Sequence, residues 1–308
     1  MMTVPSLRVP RLIAAAIALS ALASQAEVNG AMPEALKGVA QAGASCQRDD
    51  LAKPAAAGTS MPAHAAGPSA DLSCAASVVE LTALQRRQSL TWVDTRAAAD
   101  YQHAHVDGAM NASPSSLRGK RYLRDRTVVL IGSGKAEESL YEACAALKAD
   151  GFPSVKVLRG GMPMWLAQGQ SAVGQGLGEG NPPSLSSSEL WLESQFGANV
   201  VLVADSHAAV NQQLPYAMPL KQANAASVVA VLERRKREMK QAPLHAVVVV
   251  AAESALPDEL RRSMAATLRP VPLLVYTATA DTFLRDMRQQ QLTWRAQARG
   301  PKLPPCGR

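Results

Sequence analysis

The 308-residue chain predicts an α/β fold built on parallel sheets. Three observations predict it. Residues 128–131, Val-Val-Leu-Ile, form a β-branched apolar run closed by glycine, which reads as a buried strand. After the turn Gly132-Ser133-Gly134, Leu140, Ala143, Cys144 and Leu147 recur at helical spacing, Gly151 ends the helix, and residues 155–158 form a second strand. Strand, tight turn, helix, strand is a βαβ unit, and such a crossover joins parallel strands. The same alternation returns later, with strands over 199–205, 246–251 and 272–277 between helices over 188–196, 225–241, 257–268 and 281–291. Such folds place nucleophiles and anions at a strand's C-terminal edge, beside the next helix N-terminus. Chemistry is therefore to be judged at residues 132–138.

In chain order, Arg8 and Arg11 precede an apolar run over 12–23, and Ser24-Gln25-Ala26 follows. This pattern predicts a secretory signal peptide, residues 1–26, cut after Ala26. The alternative is a retained signal anchor. No membrane span is expected after signal removal, and the expected compartment is the periplasm or the exterior. Residues 27–74 are rich in Ala, Pro and Gly and predict a mostly disordered arm. A short helix over 33–42 is expected within it, and the isolated His64 reads as inert. A first domain is expected over 75–173, with a helix over 78–88, a strand over 90–94 and a helix over 97–104. Residues 174–183 read as a Gly/Pro linker, 184–296 as a second α/β domain, and 297–308 as an irregular tail.

The formal net charge is +7, and its cations are dispersed except at Arg234-Arg235-Lys236-Arg237. Glu233 and Glu238 flank that run, so it reads as a solvated helix face, and no nucleic-acid partner is expected. The four cysteines, Cys46, Cys74, Cys144 and Cys306, include no C-x-x-C pair and no metal-ligand spacing. No metal and no cofactor are expected. An oxidising compartment permits a disulfide, and Cys46–Cys74 is the expected pair.

Within the first domain the order is Asp94-x-Arg96, then Tyr101-x-x-x-His105-x-x-Gly108-Ala109-x-Asn111. After strand, loop and helix comes Gly151-Phe152-x-x-Val155-x-x-Leu158-x-Gly160-Gly161-x-x-x-Trp165. This order resembles the rhodanese (sulfurtransferase) fold over about ninety residues. The same residues have structural readings: an Asp94–Arg96 ion pair, a turn tied by His105, glycine backbone at Gly108, Gly160 and Gly161, and core packing for Trp165.

The resemblance also implies a chemistry. Active members carry a cysteine at the start of the loop after the central strand, in a pattern like C-x-x-G-x-R, where backbone amides stabilise a thiolate and its persulfide. Counting from the strand puts that position at Gly132; counting back from Gly151 puts it at Gly134 and makes the loop about two residues longer. Both are glycine. Cys144 lies on the following helix, about 15 Å away along its axis, and reads as a small buried hydrophobe, with a disulfide as the alternative. Ser133 is the loop's hydroxyl, with no base evident beside it. Lys135 and the amides of the loop, residues Gly132 to Ala136, could hold an anion, but Glu137 and Glu138 in the first helical turn would repel one.

The second domain's order resembles a degraded rhodanese unit, and its equivalent loop also lacks cysteine. The expectation is an exported tandem rhodanese-like protein without catalytic residues, acting as a binding or scaffold module for an unknown envelope protein partner. The alternatives are a sulfurtransferase or phosphatase-like enzyme with an atypical loop, and a redox protein using Cys46–Cys74.

Overall fold

The computed structural model describes residues 69–176, 181–240 and 242–298, all within one compact unit of the chain. The signal segment, most of the arm, the tail, His64, Cys46 and Cys306 lie outside these residues.

A short 3₁₀ turn, Leu72–Cys74, leads into β1 (Ala75–Ala76). Then come α1 (Val78–Gln85), β2 (Leu90–Asp94), α2 (Ala98–His103), β3 (Met110–Asn111) and α3 (Pro114–Leu117). β4 (Thr127–Ile131), α4 (Glu138–Ala149), β5 (Val155–Leu158) and α5 (Gly161–Ala167) complete the first half. The sheet order is β1-β5-β4-β2-β3, with every pairing parallel. β4 is central and buried along its whole length, which is why it reads as a continuous apolar run rather than an alternating one. Val128 and Leu130 pack with Leu140, Tyr141, Cys144 and Leu147 of α4. Val129 and Ile131 face the opposite cluster, with Trp92, Met162 and Trp165.

The second half contains α6 (Ser187–Gln195), β6 (Val200–Ala204), β7 (Met218–Leu220) and α7 (Ala225–Glu238). β8 (Val247–Val250), α8 (Asp258–Leu268), β9 (Leu273–Tyr276) and α9 (Ala280–Ala298) follow. Its parallel sheet runs β7-β6-β8-β9. Read from the edge, β3-β2-β4-β5 and β7-β6-β8-β9 are the same topology. Ser184 also bridges Val275 of β9 in parallel, as Ala75 of β1 pairs with Val157 of β5. The second half thus repeats the first, with β1 reduced to a single bridge.

Three expectations change. Residues 69–74 belong to the first domain rather than to the arm: Lys148 Nζ lies 2.8 Å from Asp71 Oδ2, and Cys74 is fully buried. The segment Gly161–Ala167 is helical, where the sequence predicts only the Gly-Gly turn. The expected Cys46–Cys74 pairing is corrected, because Cys74 is bonded to Cys144 with Cα atoms 6.6 Å apart. β1 lies beside β5, and α4 crosses both, so Cys74 meets the buried face of α4 within bridging reach. Closeness in sequence to Cys46 carried no information about that packing.

Candidate functional site

The polar residues around the C-terminal edge of β2 are spent on structure. Asp94, the last residue of β2, is fully buried and takes both Nε and Nη2 of Arg96, the latter at 2.6 Å. The same Arg96 Nη2 donates to the Ala104 carbonyl. Asn111 Nδ2 donates to the carbonyls of Asp94 (3.0 Å) and Arg96 (2.8 Å), fixing β3 against the turn. His105 Nδ1 lies 2.7 Å from the Tyr101 carbonyl and its ring stacks on that of Tyr101, whose hydroxyl donates to Ala109. Gly108 turns the chain at φ +72°. Together these contacts carry the chain from β2 across α2 to β3.

The loop between β4 and α4 has six positions, Gly132, Ser133, Gly134, Lys135, Ala136 and Glu137. Its first position after the strand is Gly132, the one reached by counting from the strand. The Gly134 register fails sterically: Gly134 has φ +79°, and a Cβ there would lie 2.7 Å from the Gly160 carbonyl oxygen. At Gly132 a Cβ would meet only the end of the flexible Leu140 side chain, at 2.7 Å. Gly161 presses on the loop from β5's side, and Met162 N donates to the Gly132 carbonyl at 2.9 Å. Trp165 anchors that contact: it packs edge-on against Trp92, 5.2 Å between ring centroids, and its Nε1 donates to Ser171.

The far side of the loop is gripped by the second half. Lys135 Nζ pairs with Glu189 at 2.8 Å and donates to the Ser184 carbonyl. Ala136 sits at φ +50°, and its N–H donates to Glu193 Oε1 at 2.6 Å, while Asn199 Nδ2 donates to Glu193 Oε2 at 2.7 Å. Glu137 Oε2 lies 2.8 Å from His245 Nε2, with side chains only 3% and 6% exposed. Tyr141 Oη stands 3.4 Å from both Glu137 Oε2 and His245 Nδ1. Burial and then the Glu137 carboxylate push the Tyr141 phenol far up, so it remains a donor. Burial raises Glu193 above its ordinary value, outweighing the bonds from Ala136 and Asn199. Burial also pushes Glu189 up, but its bonds to Lys135 and Ser186 win and lower it. Glu137 therefore does not cap α4. It stands at the helix N-cap without a side-chain capping bond and turns into the second half. Glu138 opens α4.

An open cleft of about 440 Å³ remains in front of the loop, lined by Thr95, Arg96, Ser133, Lys135 and Ser139 among others. Arg96 and Lys135 are both in ion pairs. Thr95 Oγ1 and Ser139 Oγ donate to backbone carbonyls, and Ser133 has no hydrogen-bonded base among the described residues. Cys74 and Cys144 are bonded to each other, so neither offers a thiol. Among the described residues, no group of three or more His, Cys, Asp or Glu could hold a metal ion. None of their helices is long and apolar enough to cross a membrane.

No sequence pattern marks Glu193 or His245. Their partners on the loop lie 57 and 108 residues away, and only the docking of the two halves joins them.

The first half is a parallel five-stranded α/β domain with the loop 132–137 after its central strand. Residues 77–168 match the family model of the rhodanese-like domain, and this part of the chain is a rhodanese-like domain. Among solved structures, the chain is similar to the rhodanese-like domain of an Anabaena protein (24% identity, TM-score 0.30, covering 33% of this chain and 80% of that one). It is similar to a thiosulfate sulfurtransferase from Pseudomonas aeruginosa (18%, TM-score 0.29, covering 70% and 42%). It is also similar to the 3-mercaptopyruvate sulfotransferase SseA from Escherichia coli (13%, TM-score 0.27, covering 66% and 97%). Comparison with curated proteins finds no match.

Proposed function

We propose that the chain is an exported, tandem rhodanese-like protein whose domains bind rather than catalyse. The observation that carries this is the loop after β4. Its first position is Gly132, its Lys135 and Glu137 are held by the second half, and both described cysteines are locked in a disulfide. A persulfide needs a thiolate, and the loop has none to offer. The repeated topology supports a second, degenerate copy over the C-terminal half. The N-terminal sequence and the Cys74–Cys144 bond both support export, because such bonds persist in oxidising compartments.

Intact-mass spectrometry after incubation with thiosulfate tests the binding reading. An unchanged mass is expected. A sulfur adduct lost on Ser133→Ala or on cysteine substitution would establish the competing sulfurtransferase. Export is checked by fractionating cells that express the full chain: a periplasmic product beginning at Glu27 is expected, and a cytoplasmic one removes the claim.

A further inference from the structure

The joint between the halves encloses four titratable side chains. Glu137 comes from the loop, Tyr141 from α4, Glu193 from α6 and His245 from the segment before β8. All four are buried. Phe196, also buried, lies beside the imidazole, with ring centroids 5.6 Å apart. The other charged groups at the joint are Lys135, paired with Glu189, and Arg159, beyond β5, whose charge is felt at Tyr141.

The hydrogen bonds of this cluster depend on how many protons it holds. His245 Nε2, 2.8 Å from Glu137 Oε2, donates to that carboxylate in either charge state of the ring. Tyr141 has one hydroxyl proton and two acceptors at 3.4 Å, Glu137 Oε2 and His245 Nδ1. Beside a neutral imidazole, Nδ1 competes with the carboxylate for that proton. Beside an imidazolium, Nδ1 donates to Tyr141 Oη instead. The phenol then turns to Glu137, which faces a cation and accepts two bonds. Glu193 accepts from Ala136 N–H at one oxygen and from Asn199 Nδ2 at the other. A proton added to the second oxygen finds an acceptor when the Asn199 amide turns over, because Asn199 Oδ1 is buried without a partner among the described residues. Burial raises the Glu193 carboxyl and the Glu137 charge adds to it, against the bonds from Ala136 and Asn199.

We propose that these four groups form a proton-operated latch, which holds the loop to the second half while protonated and slackens when its protons leave. Both sites work in the same direction. Loss of the His245 proton turns its ion pair with Glu137 into a neutral donor's bond, and loss of the Glu193 proton leaves a second buried carboxylate beside Glu137. A carboxyl raised in the folded state contributes stability at low pH and loses it as pH rises through the folded pKa. Glu189 does not share this behaviour. Burial pushes it up, but its bonds to Lys135 and Ser186 bring it below its ordinary value, so it stays ionised as the latch opens. Lys135 and Ala136 line the cleft in front of the loop, so opening the latch frees one of its walls. The device goes beyond the binding reading and operates whether the domain binds or catalyses.

Hydrogen–deuterium exchange of the full chain with its disulfide intact tests this, read by mass spectrometry from about pH 5 to about pH 8 and corrected for the chemical exchange rate. Protection around Ala136 should fall about tenfold more than protection in β4 and β9 as pH rises. Glu193→Gln with His245→Gln keeps hydrogen-bonding groups at both places but removes the titration, and should flatten the profile of the loop. Thermal unfolding at each pH shows whether this variant is folded; should it not fold, the wild-type profile decides. A wild-type loop profile that is flat, or that moves in step with β4 and β9, overturns the proposal. So does an unchanged pH dependence in the folded variant.

Discussion

At Gly161 a methyl group has nowhere to go: a Cβ would sit 2.2 Å from the Gly132 carbonyl oxygen, on a backbone already at φ +54°. Gly161→Ala should lose about 3 kcal/mol, from overpacking and left-handed strain together, measured by urea unfolding. Across the loop, His245→Ala strands the buried Glu137 carboxylate and should lose about 3 kcal/mol or more. Glu193 gives a pH signature. Its folded-state affinity for a proton is raised, so folding is favoured at low pH and that advantage is lost as pH rises through the folded pKa. Wild-type stability should therefore fall relative to Glu193→Gln as pH climbs out of the ordinary carboxylate range, read from melting temperatures of the pair. The roles of Asp94, Arg96 and His105 were legible because their partners lie within about a dozen residues. Those of Glu193 and His245 were not, because no local pattern encodes a contact made across two sheets.

Among the elements, β4 and β5 were nearly exact from sequence, since a strand covered on both faces leaves an unbroken apolar run. α5 is hidden in the sequence because a left-handed glycine caps it, another opens it and a proline follows, a pattern that reads as loop rather than helix. The pairing of α4 to the start of β1 was equally hidden. It depends on β1 crossing the sheet to lie beside β5, a long-range choice that two residues of strand cannot announce. The Cys74–Cys144 bond closes a loop with a sequence separation of 70, so replacing both cysteines by serine should cost about 4 kcal/mol by chain-entropy reasoning. Chemical denaturation of the oxidised wild type against the double variant checks this.

For the whole molecule, the repeat in the sequence was visible as alternating strands and helices, and the shared sheet order makes it concrete. What the repeat does was not visible. The polar contacts that Ser184, Glu189, Glu193 and His245 make with the first half land on loop positions Lys135 to Glu137 or on Tyr141, while Phe196 and Ala198 pack into the first half's core. A loop whose amide and side chains are committed in this way has less freedom to wrap a reacting sulfur. The central claim is thus that the loop is a structural joint between two halves rather than a reaction centre. The most direct test is thiosulfate:cyanide sulfur transfer by the purified chain, with Cys144→Ser and Ser133→Ala measured beside it. Turnover at the uncatalysed background is expected for all three. Wild-type turnover above that background, lost on either substitution, would contradict this role for the loop.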